Sequence, residues 1–113
     1  MNINIQNKED VIIAELSGAL DVAIQADLKD ELSKITEMNN DDLVLDFKRV
    51  SFIDSSCLGA LVAITKKIRE SGGDIKIANL NDDVRSIFQI TRLDKIFDIH
   101  ENIEQAVQSF YKS

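Results

Sequence analysis

A carboxylate, two hydroxyls and a thiol stand side by side in the segment Asp54-Ser55-Ser56-Cys57. An apolar run stops at this segment, and a helical pattern of apolar residues begins at once. The segment therefore lies at a helix start, where unpaired backbone N–H groups and the positive end of the helix dipole favour negative charge. Such a start accommodates a phosphate on a serine. Simple helix capping by Asp54 or Ser55 also explains the pattern.

A second polar junction stands upstream, in the segment Gly18-Ala19-Leu20-Asp21. It also lies between a predicted strand and a predicted helix. If the helices that follow the two junctions pack side by side, the junctions become neighbours where parallel strands end, which is the usual place for binding sites in open α/β sheets. A turn glycine at Gly18 and a helix cap at Asp21 explain the same residues without any binding role.

Cys57 and His100 are the only cysteine and histidine in the sequence. A helix start lowers the pKa of a thiol and would make Cys57 reactive, whereas a buried packing cysteine is the other interpretation. We expect His100 at the surface, and no other histidine exists to serve as a base for a nucleophile at Ser55 or Cys57. We therefore expect a protein that is not an enzyme, with no catalytic residue, metal site or cofactor.

Length and charge narrow the class of protein further. The length of 113 residues predicts a single domain that spans residues 1–113. The formal net charge of -7 argues against direct binding of nucleic acid and fits a basic protein partner. The N-terminal residues lack the pattern of a signal peptide, and no apolar run approaches the roughly 18 residues of a membrane span. We therefore expect a cytoplasmic protein without membrane insertion.

The apolar pattern predicts the element order β-β-α-β-α-β-α-β-α. The predicted strands are residues 2–6, 11–16, 43–47, 74–78 and 96–99, with loops at 7–10 and 39–42. Gly18 is expected to end the second strand. The predicted helix caps are Asp21, Asp54 or Ser55, Asn81 or Asp82, and Asn102 or Glu101, and the first helix is expected to reach about residue 38. This order predicts an α/β fold: one mixed, mostly parallel sheet of four to five strands, with helices mainly on one face.

The stretch from Val50 to Gly59 resembles the signature of the STAS domain family. It is most similar to the bacterial anti-sigma-factor antagonists, whose pattern is two hydrophobic residues followed by Asp, Ser, Ser or Thr, Gly, Leu and Gly. Segments 16–21, 43–47, 71–77 and 84–97 match further parts of the family pattern in order. The sequence departs from the pattern at Cys57, which stands where the family has glycine. Cysteine fits a first helical turn, and we expect it to add bulk beside the two serines.

The resemblance implies a binding switch. Ser55, directly after the motif aspartate, would be phosphorylated, with Ser56 as the alternative acceptor. The kinase would be the protein's own partner, an anti-sigma factor that uses ATP, and a PP2C-type phosphatase would remove the phosphate. The unphosphorylated form would capture the kinase and free a sigma factor or another effector. The implied partner-binding residues are Gly18, Leu20, Asp21, Asp54, Ser55, Ser56, Cys57, Leu58 and Gly59.

A different function is compatible with the same resemblance. STAS domains also occur as scaffolds without phosphoregulation, such as a small subunit of a transport or signalling assembly. The two alternatives differ in whether substitution of Ser55 changes the binding of the protein to its partner.

Overall fold

The computed structural model describes residues 2–8, 10–37 and 42–111, except for the side chain of residue 36. Within these ranges, five strands form one sheet in the order β1-β2-β3-β4-β5. The strands are β1 (Asn2–Lys8), β2 (Val11–Leu20), β3 (Asp42–Ile53), β4 (Asp74–Ala78) and β5 (Asp98–His100). β1 pairs with β2 antiparallel, and the other neighbours are parallel. The predicted mixed, mostly parallel sheet with an antiparallel hairpin at one edge is confirmed.

Four helices lie within the same described ranges: α1 (Gln25–Glu37), α2 (Ser55–Glu70), α3 (Asp82–Ile90) and α4 (Ile103–Ser109). A short 3-10 helix, Leu93–Lys95, follows α3. The order of strands and α-helices is the predicted one. None of the described helices is both long and apolar enough to cross a membrane.

Side-chain caps begin three of these helices. Asp54 caps α2, Asn81 caps α3 and Asn102 caps α4, each by accepting a hydrogen bond from a backbone N–H in the first turn. Two residues were predicted as alternative caps for each of these helices, and the structure confirms Asp54, Asn81 and Asn102. Gly72, with φ of +93°, follows the C-cap of α2, as expected for a glycine that ends a helix.

Several predicted boundaries were wrong around the second strand. Gly18 does not end β2, which runs on to Leu20. Gly18 instead has φ of +92° at a shift in the β2–β3 register, where its conformational freedom allows the bulge. Asp21 does not cap α1. Its carboxylate accepts a bond from the Ala23 N–H at 3.0 Å within a turn that precedes the helix.

Other boundaries shifted because pairing extended the strands. β1 includes residues 7 and 8 of the predicted first loop, and residue 9 lies outside the described ranges. Asp42 begins β3, and residues 38–41 of the predicted helix end and loop lie outside the described ranges. β3 also continues to Ile53. The last strand begins at Asp98, because Ile96 and Phe97 form a turn and a bend after the 3-10 helix.

The two faces of the sheet are covered unequally, as predicted. The larger core cluster joins the sheet to apolar side chains of α1, α2 and α3, including Leu28, Leu61 and Phe88. A smaller cluster on the other face contains Ala106 and Val107 of α4. Residues 43–47 of β3 are all buried, as expected for a central strand covered on both sides. The central strand is therefore a rigid base for the polar segment that follows it.

A partly buried ion pair lies beneath α4. The Lys76 side chain on β4 is almost fully buried, and its ammonium binds the Asp98 carboxylate and lies 4.8 Å from the centre of the Phe110 ring. Partial burial raises the pKa of Asp98, but the Lys76 ammonium and the His100 imidazole beside it more than offset burial, so the pKa lies below its ordinary value of 3.8. The ionised form of Asp98 therefore stabilises the folded state.

We predict that Asp98→Asn lowers the free energy of unfolding at neutral pH by about 1 kcal/mol, because Lys76 loses its nearest counter-charge while the half-exposed carboxylate is partly screened by solvent. Since the pKa of Asp98 is lower in the folded state, the difference from wild type should be complete above the unfolded pKa. It should disappear as the pH falls through the folded pKa. Urea unfolding from pH 7 to pH 3 measures it.

The control is Glu15→Gln, which breaks a more solvent-exposed pair with Arg49. It should change stability by less than about 0.5 kcal/mol at any pH in that range. An Asp98→Asn variant as stable as wild type at pH 7 would contradict the prediction.

Candidate functional site

The two polar junctions meet at the carboxyl-terminal edge of the sheet, where the parallel strands β2 and β3 end. Leu20 and Ile53, the last residues of β2 and β3, are paired in the parallel register. The Asp54 N–H donates to the Leu20 carbonyl oxygen at 2.9 Å, which joins the junctions directly. Because α1 and α2 pack side by side on the same face, the expected proximity of the two segments is confirmed.

The Asp54 carboxylate accepts more than one hydrogen bond at this edge. Its Oδ1 accepts from the Ser56 hydroxyl at 2.6 Å and from the Cys57 N–H at 3.2 Å. The backbone N–H of Val22, in the neighbouring turn, also lowers the pKa of this carboxylate. The Ser56 hydroxyl is the main reason that the pKa of Asp54 is lowered. The backbone donors add to the effect, and burial opposes it. Asp54 is therefore a stable anion at neutral pH.

The two serines have different environments. Ser55 is the first residue of α2 and is exposed. Ser56 is half-buried, and its hydroxyl is engaged with Asp54. Ser55 is thus the hydroxyl that a large partner reaches more readily, whereas modification of Ser56 would first break a short hydrogen bond. The sequence alone did not separate the two.

Cys57 points inward. Its side chain is fully buried, and its Sγ donates to the Asp21 carbonyl oxygen at 3.3 Å. Burial raises the pKa of the thiol, and the charges of Asp54 and Asp21 act in the same direction. The interpretation as a reactive thiolate is therefore wrong, and the packing interpretation is correct. The expected bulk beside the serines is wrong too, because the thiol fills the interior and leaves the surface unchanged.

The other predicted partner-binding residues fall into two groups, one in the core and one at least partly exposed to solvent. Leu20 and Leu58 belong to the core and support the edge from beneath. Gly18, Ser55 and Gly59 are exposed, while Asp21 and Asp54 are half-buried. A side chain at Gly59 would meet nothing within 4 Å, so this glycine leaves open surface one helical turn after Ser55. The role of these residues in binding stays a prediction.

Two exposed apolar side chains at this edge were missed by the sequence reasoning. Val22 follows Asp21 and is 72% exposed, and Phe52, two residues before Asp54, is 46% exposed. Phe52 pairs with Ala19 in the β2–β3 register, and the Val22 N–H is close enough to Asp54 to lower the pKa of its carboxylate. Both therefore border the polar cluster. The available signal was an apolar residue directly after a turn aspartate and a bulky aromatic before the helix start.

His100 lies away from this cluster. It stands on β5, and β4 separates it from β3, which implies about 10 Å across the sheet. Its side chain is half-buried, contrary to the expected surface position, and its Nε2 lies 3.1 Å from the Asp98 carboxylate. The single histidine of the sequence is thus not placed to activate Ser55 or Cys57.

Comparison with known proteins agrees with this geometry. A family model for the STAS domain matches residues 2–106. The anti-sigma-B factor antagonist of Bacillus subtilis (strain 168) is 35% identical over 111 residues, covering 96% of this chain and 100% of the relative. A candidate anti-sigma factor antagonist from Thermotoga maritima superposes with a TM-score of 0.92 at 25% identity, covering 97% of this chain and 95% of that one.

A more distant structure is the phosphorylated form of the Bacillus cell fate determinant SpoIIAA. It matches with a TM-score of 0.72 at 18% identity and covers 98% of this chain and 100% of that one. At this identity the likeness shows the fold alone.

We predict that Ser56→Ala raises the pKa of Asp54 toward its ordinary value, because the Ser56 hydroxyl is the strongest of the donors that stabilise the anion. NMR titration of the Asp54 carboxyl carbon from pH 2 to pH 6 measures the shift. Ser55→Ala is the matched control and should leave the pKa of Asp54 unchanged, since Ser56 remains as donor. Equal titration of Asp54 in wild type and Ser56→Ala would contradict the assigned role of Ser56.

Proposed function

This chain belongs to the STAS domain family, and we propose that it acts there as an anti-sigma factor antagonist that phosphorylation of Ser55 switches off. In the unphosphorylated form, the cytoplasmic domain of residues 1–113 binds an anti-sigma factor that is also a serine protein kinase. Binding releases a sigma factor or another effector. A PP2C-type phosphatase restores the binding form. The 35% identical anti-sigma-B factor antagonist supports this assignment.

The observation that carries the proposal is the exposed Ser55 hydroxyl at the first residue of α2, beside a carboxylate that stays ionised. A phosphate there meets unpaired N–H groups and the favourable end of the helix dipole, so α2 stays folded. The added charge of about -1.5 to -2 also lies next to Asp54 and is presented to the partner. The switch therefore acts chiefly through repulsion and bulk at the interface.

The partner surface that we propose combines charge with apolar anchors. Asp21, Asp54 and the exposed Ser55 form its polar part, and Val22 and Phe52 flank them. Such a surface fits a partner with a basic rim around an apolar pocket. The net charge of -7 would also accelerate its encounter with a basic partner. The buried Leu20, Cys57 and Leu58 would act indirectly, by supporting the exposed residues.

We predict that the anti-sigma kinase encoded nearby in the same genome phosphorylates wild type and Ser56→Ala with ATP, but not Ser55→Ala. Mass spectrometry identifies the site. Because Ser55→Ala cannot acquire the charge, it should bind the kinase within about twofold of wild type, whereas Ser55→Asp should bind at least about tenfold more weakly. Phosphate at Ser56 of Ser55→Ala, or tight binding by Ser55→Asp, would overturn the assignment of Ser55.

We further predict that Val22→Ala and Phe52→Ala each weaken kinase binding by about fivefold to thirtyfold, because truncation removes an apolar anchor from the interface. Calorimetric titration measures the affinity. Urea unfolding should show stability within about 0.5 kcal/mol of wild type, since both side chains are exposed. Ile90→Ala is the control, because Ile90 is 83% exposed on α3 and outside the proposed surface. An equal loss of affinity in Ile90→Ala would argue against the surface that we propose.

A further inference from the structure

The turn between β2 and α1 is organised around Asp21. The Asp21 carbonyl oxygen accepts a hydrogen bond from the Ile24 N–H at 3.0 Å, and the Asp21 carboxylate accepts one from the Ala23 N–H at 3.0 Å. The same carbonyl oxygen also accepts a bond from the Cys57 thiol of α2 at 3.3 Å. Val22 lies inside this turn, so the position of its exposed side chain depends on how Asp21 is held.

We propose that the contact between the Cys57 thiol and the Asp21 carbonyl oxygen makes Cys57 a positioning residue for partner binding: it fixes the turn against α2 and so sets where Val22 meets the partner. The inference rests on the proposed function and deepens it, because it names a buried residue that controls part of the binding surface without touching the partner.

The contact continues the attachment of β2 to the start of α2. The Asp54 N–H donates to the carbonyl oxygen of Leu20, the last residue of the strand, and the Cys57 thiol donates to the carbonyl oxygen of the next residue, Asp21. Two consecutive carbonyl groups are therefore bonded to the first turn of α2. Leu20 and Cys57 are both fully buried. Cys57 thus extends the attachment one residue beyond the strand, into the turn that carries Val22.

The chemistry of the thiol suits a lasting contact. Burial raises the pKa of the Cys57 thiol, so the thiol keeps its proton at neutral pH and remains a donor. A thiol is a weak donor, but its sulfur also fills the space between α2 and the turn, and its removal would leave a small cavity there. The expected consequence of losing the thiol is a local loosening of residues 21–24, while the sheet and α2 stay intact.

The experiment compares Cys57→Ala with Ile64→Val. Each variant removes one buried heavy atom from α2, but Ile64 lies about two helical turns beyond Cys57. Amide hydrogen exchange in the free protein reports the state of the turn through Ala23 and Ile24. In Cys57→Ala, we expect these two amides to exchange about threefold to tenfold faster than in wild type. The Leu58 amide at the start of α2 should stay protected, and Ile64→Val should leave the two turn amides at the wild-type rate.

Kinase binding then separates positioning from a general loss of packing. Because Cys57 is buried, it acts on the partner only through the turn, and Cys57→Ala should weaken binding by about threefold to tenfold in a calorimetric titration. In a Val22→Ala background the same substitution should weaken binding by less than about twofold, since the side chain that it positions is gone. Ile64→Val should bind the kinase as wild type does.

Three results would overturn the inference while leaving phosphorylation of Ser55 untouched. They are unchanged exchange of the turn amides in Cys57→Ala, a loss of affinity that is undiminished in the Val22→Ala background, and an equal loss of affinity in Ile64→Val. Failure of wild type to bind the kinase would instead overturn the proposed function, and the exchange of Ala23 and Ile24 would still test the hold of Cys57 on the turn.

Discussion

A single carboxylate joins the parts of this molecule on which its candidate site depends. Asp54 follows the last residue of the central strand, caps the longest described helix and accepts a hydrogen bond from the Ser56 hydroxyl. Its backbone N–H binds the carbonyl at the end of β2. The surface around Ser55 is therefore built from two strand ends, a helix start and the turn after β2. Asp54 joins the first three, and the Cys57 thiol joins the turn to the helix start through the Asp21 carbonyl oxygen.

The sheet makes this arrangement possible. Parallel pairing of β2 with β3 brings both strand ends to the same edge, and the bulge at Gly18 lets β2 continue far enough for Leu20 to pair with Ile53. The middle of β3 is buried on both faces, between three helices on one side and α4 on the other. A site built on such a strand can gain charge without disturbing the core, so the switch that we propose at this end of the sheet would act on a partner surface instead of on folding.

Membership of the STAS family accounts for the scaffold, and the particular residues of this chain account for its surface. The cysteine that replaces the expected glycine leaves the outer surface unaltered, because its thiol fills the space between α2 and the turn at Asp21. Val22 and Phe52 give the edge an apolar character that a purely charged switch would lack. Exposed positions around a common framework are where members of one family can distinguish their partners.

The sequence by itself determined the order of the elements, the mixed sheet and a helix cap at Asp54 or Ser55. It predicted the proximity of the two junctions on the condition that the helices after them pack side by side. These follow from local periodicity, capping and the rules of strand connection, which depend on residues close together in the chain. Only the tertiary structure decided that β2 passes through Gly18, that Asp21 lies in a turn, that Cys57 is buried and that Ser56 serves Asp54 while Ser55 faces outward. Each of these depends on a bond or a contact between separate segments of the chain, which residue types close together in the sequence do not specify.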